Sequence, residues 1–400
     1  MLKLEILTGL LIFLLYSYSE AKIGSNSNAF ARTNPSESLV IPTSDPLLPP
    51  SSIERSLSSF EKKRIREKIK NLELQANQKL REGQVKEAFK LWFRQLRLYR
   101  AIDFTTEIIA LGKVGETAWQ NNRGNELKVI TQRLKDIYRE QQTNNFTDAK
   151  ALKELAIAWQ KSRNINNAIA VYQILLERAY KEDNLQLEKK YLVTLGKLYL
   201  SKFDYTRAAT IYEDLLSGDR YKITSENREV YLSKLISIYG YTKQPELAIV
   251  TKKKLIDRYI AAGKNYLVGK IKLSLAKDYQ SLENRELAIV AYKEAVDIGQ
   301  SLQQLALTSE ALESLGSLYQ QQEQYSLALE TYQRLLELER KADNSYGVMN
   351  GYKQLGQLYL ILEEYQQASI AFNRGLEIAR LLDYQIGEFT SLINEAEKFQ

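Results

Sequence analysis

Residues 315–332 read LGSLYQQQEQYSLALETY, and most of the chain beyond residue 105 is a variation on them. The stretch supplies a Leu-Gly pair (Leu315, Gly316), Tyr319 three residues after the Gly, Ala328 nine after the Tyr, and Tyr332 four after the Ala. Forty residues earlier stands LAKDYQSLENRELAIVAY at 275–292, and forty later LGQLYLILEEYQQASIAF at 355–372. The phase holds over six units without insertion. Leu155, Leu195, Leu235, Leu275, Leu315 and Leu355 share it, as do Trp159, Tyr199, Tyr239, Tyr279, Tyr319 and Tyr359. So do Ala168, Ala208, Ala248, Ala288, Ala328 and Ala368. Tyr172, Tyr212, Tyr292, Tyr332 and Phe372 follow each Ala by four, and Lys252 breaks that column.

A fixed period in this range is the signature of a solenoid. Within a unit, Leu315, Leu318 and Tyr319, then Leu327, Ala328, Tyr332, Leu335 and Leu336, recur at three and four, which describes two amphipathic helices. A short polar connection such as QEQ or LEN separates them, so each unit is an antiparallel hairpin. A small residue follows the column Leu at Ala156, Gly196, Ala276, Gly316 and Gly356. Gly inside a helix costs about 1 kcal/mol, so close approach of another helix is the reason expected for it.

On these residues the chain resembles the tetratricopeptide repeat family over about residues 72–400. The resemblance implies an all-α fold: a right-handed solenoid of antiparallel helix hairpins, about eight of them, closed by a C-terminal capping helix. The family's common unit has thirty-four residues. Here six more fall after the second aromatic, which implies longer helices or longer turns.

Three regions follow from the order of the chain. Residues 1–21, with Lys3 before an apolar run at 6–18, have the form of a secretory signal peptide or an N-terminal anchor. Cleavage is expected after Ala21 or Ala31, and the protein is expected to be exported. Residues 22–57 are rich in Ser, Asn and Pro and read as a flexible tether without a core of its own. Their SDPLLPP, followed by the repeats, resembles exported repeat proteins of cyanobacteria. Residues 58–400 are the array. It opens with a basic helix capped by Ser58 or Ser59 and a degenerate partner carrying Ala88 and Trp92. A weaker unit follows at 106–142, with Val114 and Gly115 in the Leu-Gly places. One unpaired helix at 385–399, with Phe389, Ile393, Ala396 and Phe399 on one face, closes the chain against water.

The sequence holds 0 His and 0 Cys, which removes the usual general base, the thiolate nucleophile and Cys/His zinc sites. It has no phosphate-binding GxxxxGK[ST], no GxGxxG after a strand and no GxSxG elbow. Carboxylate pairs such as Glu363 with Glu364, or Glu337 with Glu339, read as solvated helix faces. No catalytic residue, cofactor or metal is expected, and the protein is read as no enzyme.

Binding remains. At about 100° per residue, offsets of −5, −2 and +2 from each first-helix Leu point away from the core. The resemblance implies that this side lines a concave groove. Those offsets hold Lys150, Lys153 and Ile157; Lys190, Val193 and Lys197; Val230, Ser233 and Ser237; then Lys270, Leu273 and Lys277. The next unit changes sign with Glu310 and Glu313. The expected site is therefore Lys150, Lys153, Lys190, Lys197, Lys270 and Lys277, and the expected partner an acidic, partly apolar protein segment. The Asn-and-Lys clamp with which the resembled family holds a terminal carboxylate does not occur in the first units. Net charge is +7 overall, but residues 61–100 carry +8 and residues 301–400 carry −7. A membrane surface or an acidic partner for residues 58–82 is expected over nucleic acid. Screening of exposed charges makes end-to-end assembly weak, so a monomer is expected.

Overall fold

The computed structural model describes residues 45–49, 56–143 and 146–398. The targeting segment at 1–21, most of the tether and Phe399 lie outside these. Among the described residues there are seventeen helices and no strand. They fall into two compact units. One holds the described residues up to Ile102 with Arg123–Val129, the other Asp103–Asn122 with everything from Ile130 onward.

In the first unit, α1 (Ser59–Arg81) packs on α2 (Val85–Ile102). Ser58 caps α1 as expected. Its hydroxyl accepts from the Glu61 amide at 3.2 Å, and the Glu61 carboxylate accepts from the Ser58 amide at 2.8 Å. Ile65, Ile69, Leu72 and Ala76 form the buried stripe of α1, while Ala88 and Trp92 are both buried on α2.

Within the stretch read as a tether, residues 45–49 pack on the first hairpin. Asp45 is buried, and Arg94 Nε donates to its carboxylate at 2.6 Å. Leu47 and Leu48 pack on the cluster of Ile65, Ile69, Leu72 and Leu98. Proline-rich composition hides a docking segment because two leucines and one buried ion pair decide it. Burial alone would raise the Asp45 carboxyl, yet the Arg94 guanidinium beside it holds it below the usual range. A depressed folded-state pKa gives stability that is present above the unfolded value, and it is lost as pH falls through the folded one. Arg94→Ala is therefore expected to speed amide exchange of Leu47 and Leu48 at neutral pH. The parent should show the same change only below about pH 4. Unchanged exchange in the variant would mean that the leucines alone hold the segment.

The second unit contains α3 (Phe104–Gln120) and most of α4 (Gly124–Thr143). Five hairpins follow: α5/α6 (Ala149–Lys161, Ile165–Lys181), α7/α8 (Leu185–Ser201, Tyr205–Leu216), α9/α10 (Ser225–Tyr241, Pro245–Ala261), α11/α12 (Asn265–Ser281, Arg285–Ser301) and α13/α14 (Leu305–Gln321, Tyr325–Lys341). A sixth, α15/α16 (Ser345–Ile361, Tyr365–Leu381), precedes the last helix, α17 (Ile386–Glu397). From α9 onward the paired helices have 17 residues each, and three-residue turns complete the forty-residue unit. The six extra residues thus lengthen helices, not turns. Each hairpin turn passes through one left-handed residue, such as Lys243, Glu283, Glu323 or Glu363, with φ between 53° and 59°. The following amide then donates back to a column Tyr carbonyl, as Glu364 does to Tyr359 at 2.9 Å.

The small-residue column works by contact with the aromatic column of the same hairpin. A Cβ on Gly316 would lie 2.6 Å from the Tyr332 ring, and one on Gly196 would lie 3.1 Å from Tyr212. Gly356 meets Phe372 in the same way, and Gly375 of α16 receives Phe389 of α17. Where Lys252 replaces the aromatic, Ile236 replaces the small residue, so bulk moves from one helix to the other. Lys252 itself is buried, with Nζ donating to the Ser274 carbonyl at 3.0 Å and to Asp278 Oδ2 at 2.5 Å. Neighbouring hairpins are joined through the polar tips of the first-helix tyrosines. Gln173 donates to the Tyr199 hydroxyl at 3.1 Å, and Lys253 and Lys293 lie over the Tyr279 and Tyr319 rings at 5.5 and 5.8 Å. Burial pushes the phenols of Tyr172, Tyr212 and Tyr332 up to about 12, so they stay neutral donors.

One hairpin departs from the pattern. Helix α8 stops at Leu216, and the loop before α9 brings Arg220 onto the fully buried Glu188 at 2.6 Å. Tyr221 of that loop is also buried. This ion pair replaces the missing last turn of α8.

Candidate partner-binding face

The predicted lysines stand on the first helices α5, α7 and α11 of the second unit. Lys150, Lys190, Lys197, Lys270 and Lys277 are exposed, and Lys153 is half-buried. The −2 column is the one that misleads. Leu273 was expected beside the lysines on the open side but is 5% exposed and belongs to the core with Ile249, Ile256 and Val268. A first helix in an array has neighbours on two sides. Leu273 falls in the seam with the adjacent helix, while Glu313 at the same offset of α13 stays exposed.

The strips of successive helices abut. Lys277 Nζ lies 2.5 Å from Glu310 Oε1, which joins the +2 position of α11 to the −5 position of α13. Among the described residues, Lys150, Lys153, Lys190, Lys197 and Lys270 have no ion-pair partner. Lys150 and Lys153 share α5, and Lys190 and Lys197 share α7, so the cations within each pair sit within about a Debye length and reinforce one another.

Helix α9 interrupts this basic strip, and the interruption is a depression. Val230, Ser233, Ser237 and Lys234, with Glu226, Glu229 and Tyr259, line a volume of about 440 Å³. Glu229 is neutralised there by Lys264, whose Nζ lies 2.7 Å from its carboxylate. The six lysines are thus two groups, four on α5 and α7 and two on α11, with short side chains between them. The sequence places Val230, Ser233 and Ser237 at the same offsets as the lysines. Their small size beside long lysines was the available signal for a recess. Among the described residues no group of three or more carboxylates could hold a metal ion. No described helix is long and apolar enough to cross a membrane.

No curated protein matches the sequence. Among solved structures, BtubC from P. vanneervenii is 20% identical, with 55% of this chain and 92% of that one covered at a TM-score of 0.38. A signal transduction ATPase with numerous domains and a tetratricopeptide repeat sensor, from Pyrococcus horikoshii, is 15% identical over 77% of this chain and 49% of its own, with a TM-score of 0.43. Such scores decide nothing about what this chain binds. The family model of the tetratricopeptide repeat matches residues 307–380, which are the whole of α14 and α15 with nearly all of α13 and α16. Residues 307–380 are thus of the tetratricopeptide repeat type, and the same forty-residue register runs back through the hairpins from residue 155.

Proposed function

We propose that the protein is an exported, non-enzymatic scaffold that holds an acidic segment of another protein along the first-helix strip from α5 to α11. The observation that carries this reading is the set of lysines left without counter-charges on the first helices α5, α7 and α11. In a structure where Arg133, Arg220, Lys252 and Lys264 are all paired, Lys150, Lys153, Lys190, Lys197 and Lys270 stand open. The recess at α9 lies between the two cationic groups and offers Val230 and Tyr259 among polar side chains to the bound segment. The Lys277–Glu310 pair and Glu313 mark where the basic strip ends, so the bound segment has a direction. The apolar run at 6–18 supports export.

A single exposed ion pair contributes about 0–1 kcal/mol, so the effect is collective. Changing all six lysines to Glu should leave helicity and melting within error. It should weaken binding of an acidic peptide carrying one central Leu by at least about tenfold, and the parent's binding should fall with added salt. Fluorescence anisotropy with that peptide measures it, and capture of exported proteins on the two baits extends it. Undiminished binding by the variant would reduce the lysines to a solvated face.

A further inference from the structure

A second surface, on the first unit and separate from the lysine strip, fits a different kind of partner. On α1 the buried Ile65, Ile69, Leu72 and Ala76 face α2. At about 100° per residue, Phe60, Lys63, Arg64, Glu67, Lys70 and Leu74 centre on the opposite side. Phe60 is 76% exposed and Leu74 is 67% exposed, two large apolar side chains left in water. Fourteen residues separate them, about 21 Å along the helix at about 1.5 Å per residue. Between them Lys63, Arg64 and Lys70 are exposed, with Arg66 on the flank, and none has an ion-pair partner among the described residues. Glu67 is the one carboxylate on this face.

We infer that this face of α1 lies on an anionic phospholipid bilayer, with Phe60 and Leu74 set into the boundary between headgroups and acyl chains. The cations meet the surface charge, and the two apolar ends enter by about 5–10 Å, as they do for a helix lying in the interface plane. Nucleic acid or an acidic protein surface would satisfy the cations but leaves Phe60 and Leu74 without a use. A bilayer takes both. This goes beyond the scaffold reading and does not depend on it.

The chain has 0 Cys, so Leu74→Cys on the full chain offers a single site for a nitroxide label, and Gln333→Cys on the exposed side of α14 serves as its control. Vesicles of phosphatidylcholine alone and of phosphatidylcholine with one-quarter phosphatidylglycerol are the probes. With the anionic vesicles the label at position 74 should enter the interface, read as raised oxygen and lowered nickel-chelate accessibility, and the label at position 333 should stay in water. With neutral vesicles both should stay in water. An N-terminal anchor holding the chain on both kinds of vesicle leaves this comparison intact, because partitioning is read as the fraction of label at position 74 that enters the interface. Each cation near an anionic surface raises partitioning by about fivefold. Changing Lys63, Arg64, Arg66 and Lys70 together to Gln should therefore lower it at least about 100-fold, with melting unchanged. The six-lysine variant of α5, α7 and α11 should partition as the parent does, which separates this surface from the strip. A label at position 74 that stays aqueous on anionic vesicles would overturn the inference. So would equal partitioning by the four-site variant, and binding to a duplex oligonucleotide without entry into vesicles would reassign the face to nucleic acid.

Discussion

Arg133→Leu is expected to cost about 3–5 kcal/mol, the largest loss from any single change considered for this protein. Glu107 of α3 is fully buried. Arg133 of α4 donates through Nε to its Oε1 at 2.8 Å and through Nη2 to its Oε2 at 2.9 Å. A third nitrogen of the same guanidinium reaches Glu140 at 2.9 Å. Leucine fills much of the volume but leaves a carboxylate enclosed without its cation. The penalty is that of a buried carboxylate that has lost its bidentate cation, which exceeds the worth of the pair itself. Glu107→Leu combined with Arg133→Leu should for that reason recover most of the loss, since an apolar replacement of both partners is close to neutral. Urea melts followed by far-ultraviolet circular dichroism measure both. A single variant as stable as the parent would mean that Glu107 finds water or another donor. A double variant as weak as the single would place the cost in packing instead.

Gly316→Leu should cost about 1–3 kcal/mol by overpacking. Even the first carbon of a side chain would come within 2.6 Å of the Tyr332 ring, and that ring is fully buried, with no room to withdraw. Gly356→Leu should behave alike, because its neighbour Phe372 is equally enclosed. Gly240, one position after a column Tyr, has nothing within 4 Å of the place a Cβ would occupy. Gly240→Ala should raise stability instead, by up to about 1 kcal/mol from helix propensity. The contrast between positions 316 and 240 separates close approach from propensity, and equal shifts of melting temperature at both would refute the packing account.

A cap at Ser58 or Ser59, the pair of Ala88 and Trp92, and the closing helix with Phe389, Ile393 and Ala396 were legible in the sequence. So was the contact between the small column and the aromatic column. Each of these depends on residues that the helical period brings together within one hairpin, or on a cap three residues from its partner. Local spacing carries that information, and repetition of the spacing in register made it unambiguous.

The chain order could not carry the rest. Leu273 and Lys270 both point away from Leu275 on a helical wheel, yet one is in the core and the other in water. The difference is made by the adjacent helix, which closes over one column and not the next. Arg94 reaches Asp45 across 49 positions, and Lys277 meets Glu310 across 33. Neither pairing is encoded by any local periodicity. The sequence by itself determined the hairpin, its period, its caps and the array they build, because those rest on propensity and on the apolar pattern of single helices. Only the tertiary structure decided which charges are neutralised, which lysines stay open, that a recess lies at α9, and that the proline-rich stretch docks on the first hairpin. Those outcomes depend on solvent exclusion between elements, which is a property of the packed neighbours and not of the residue.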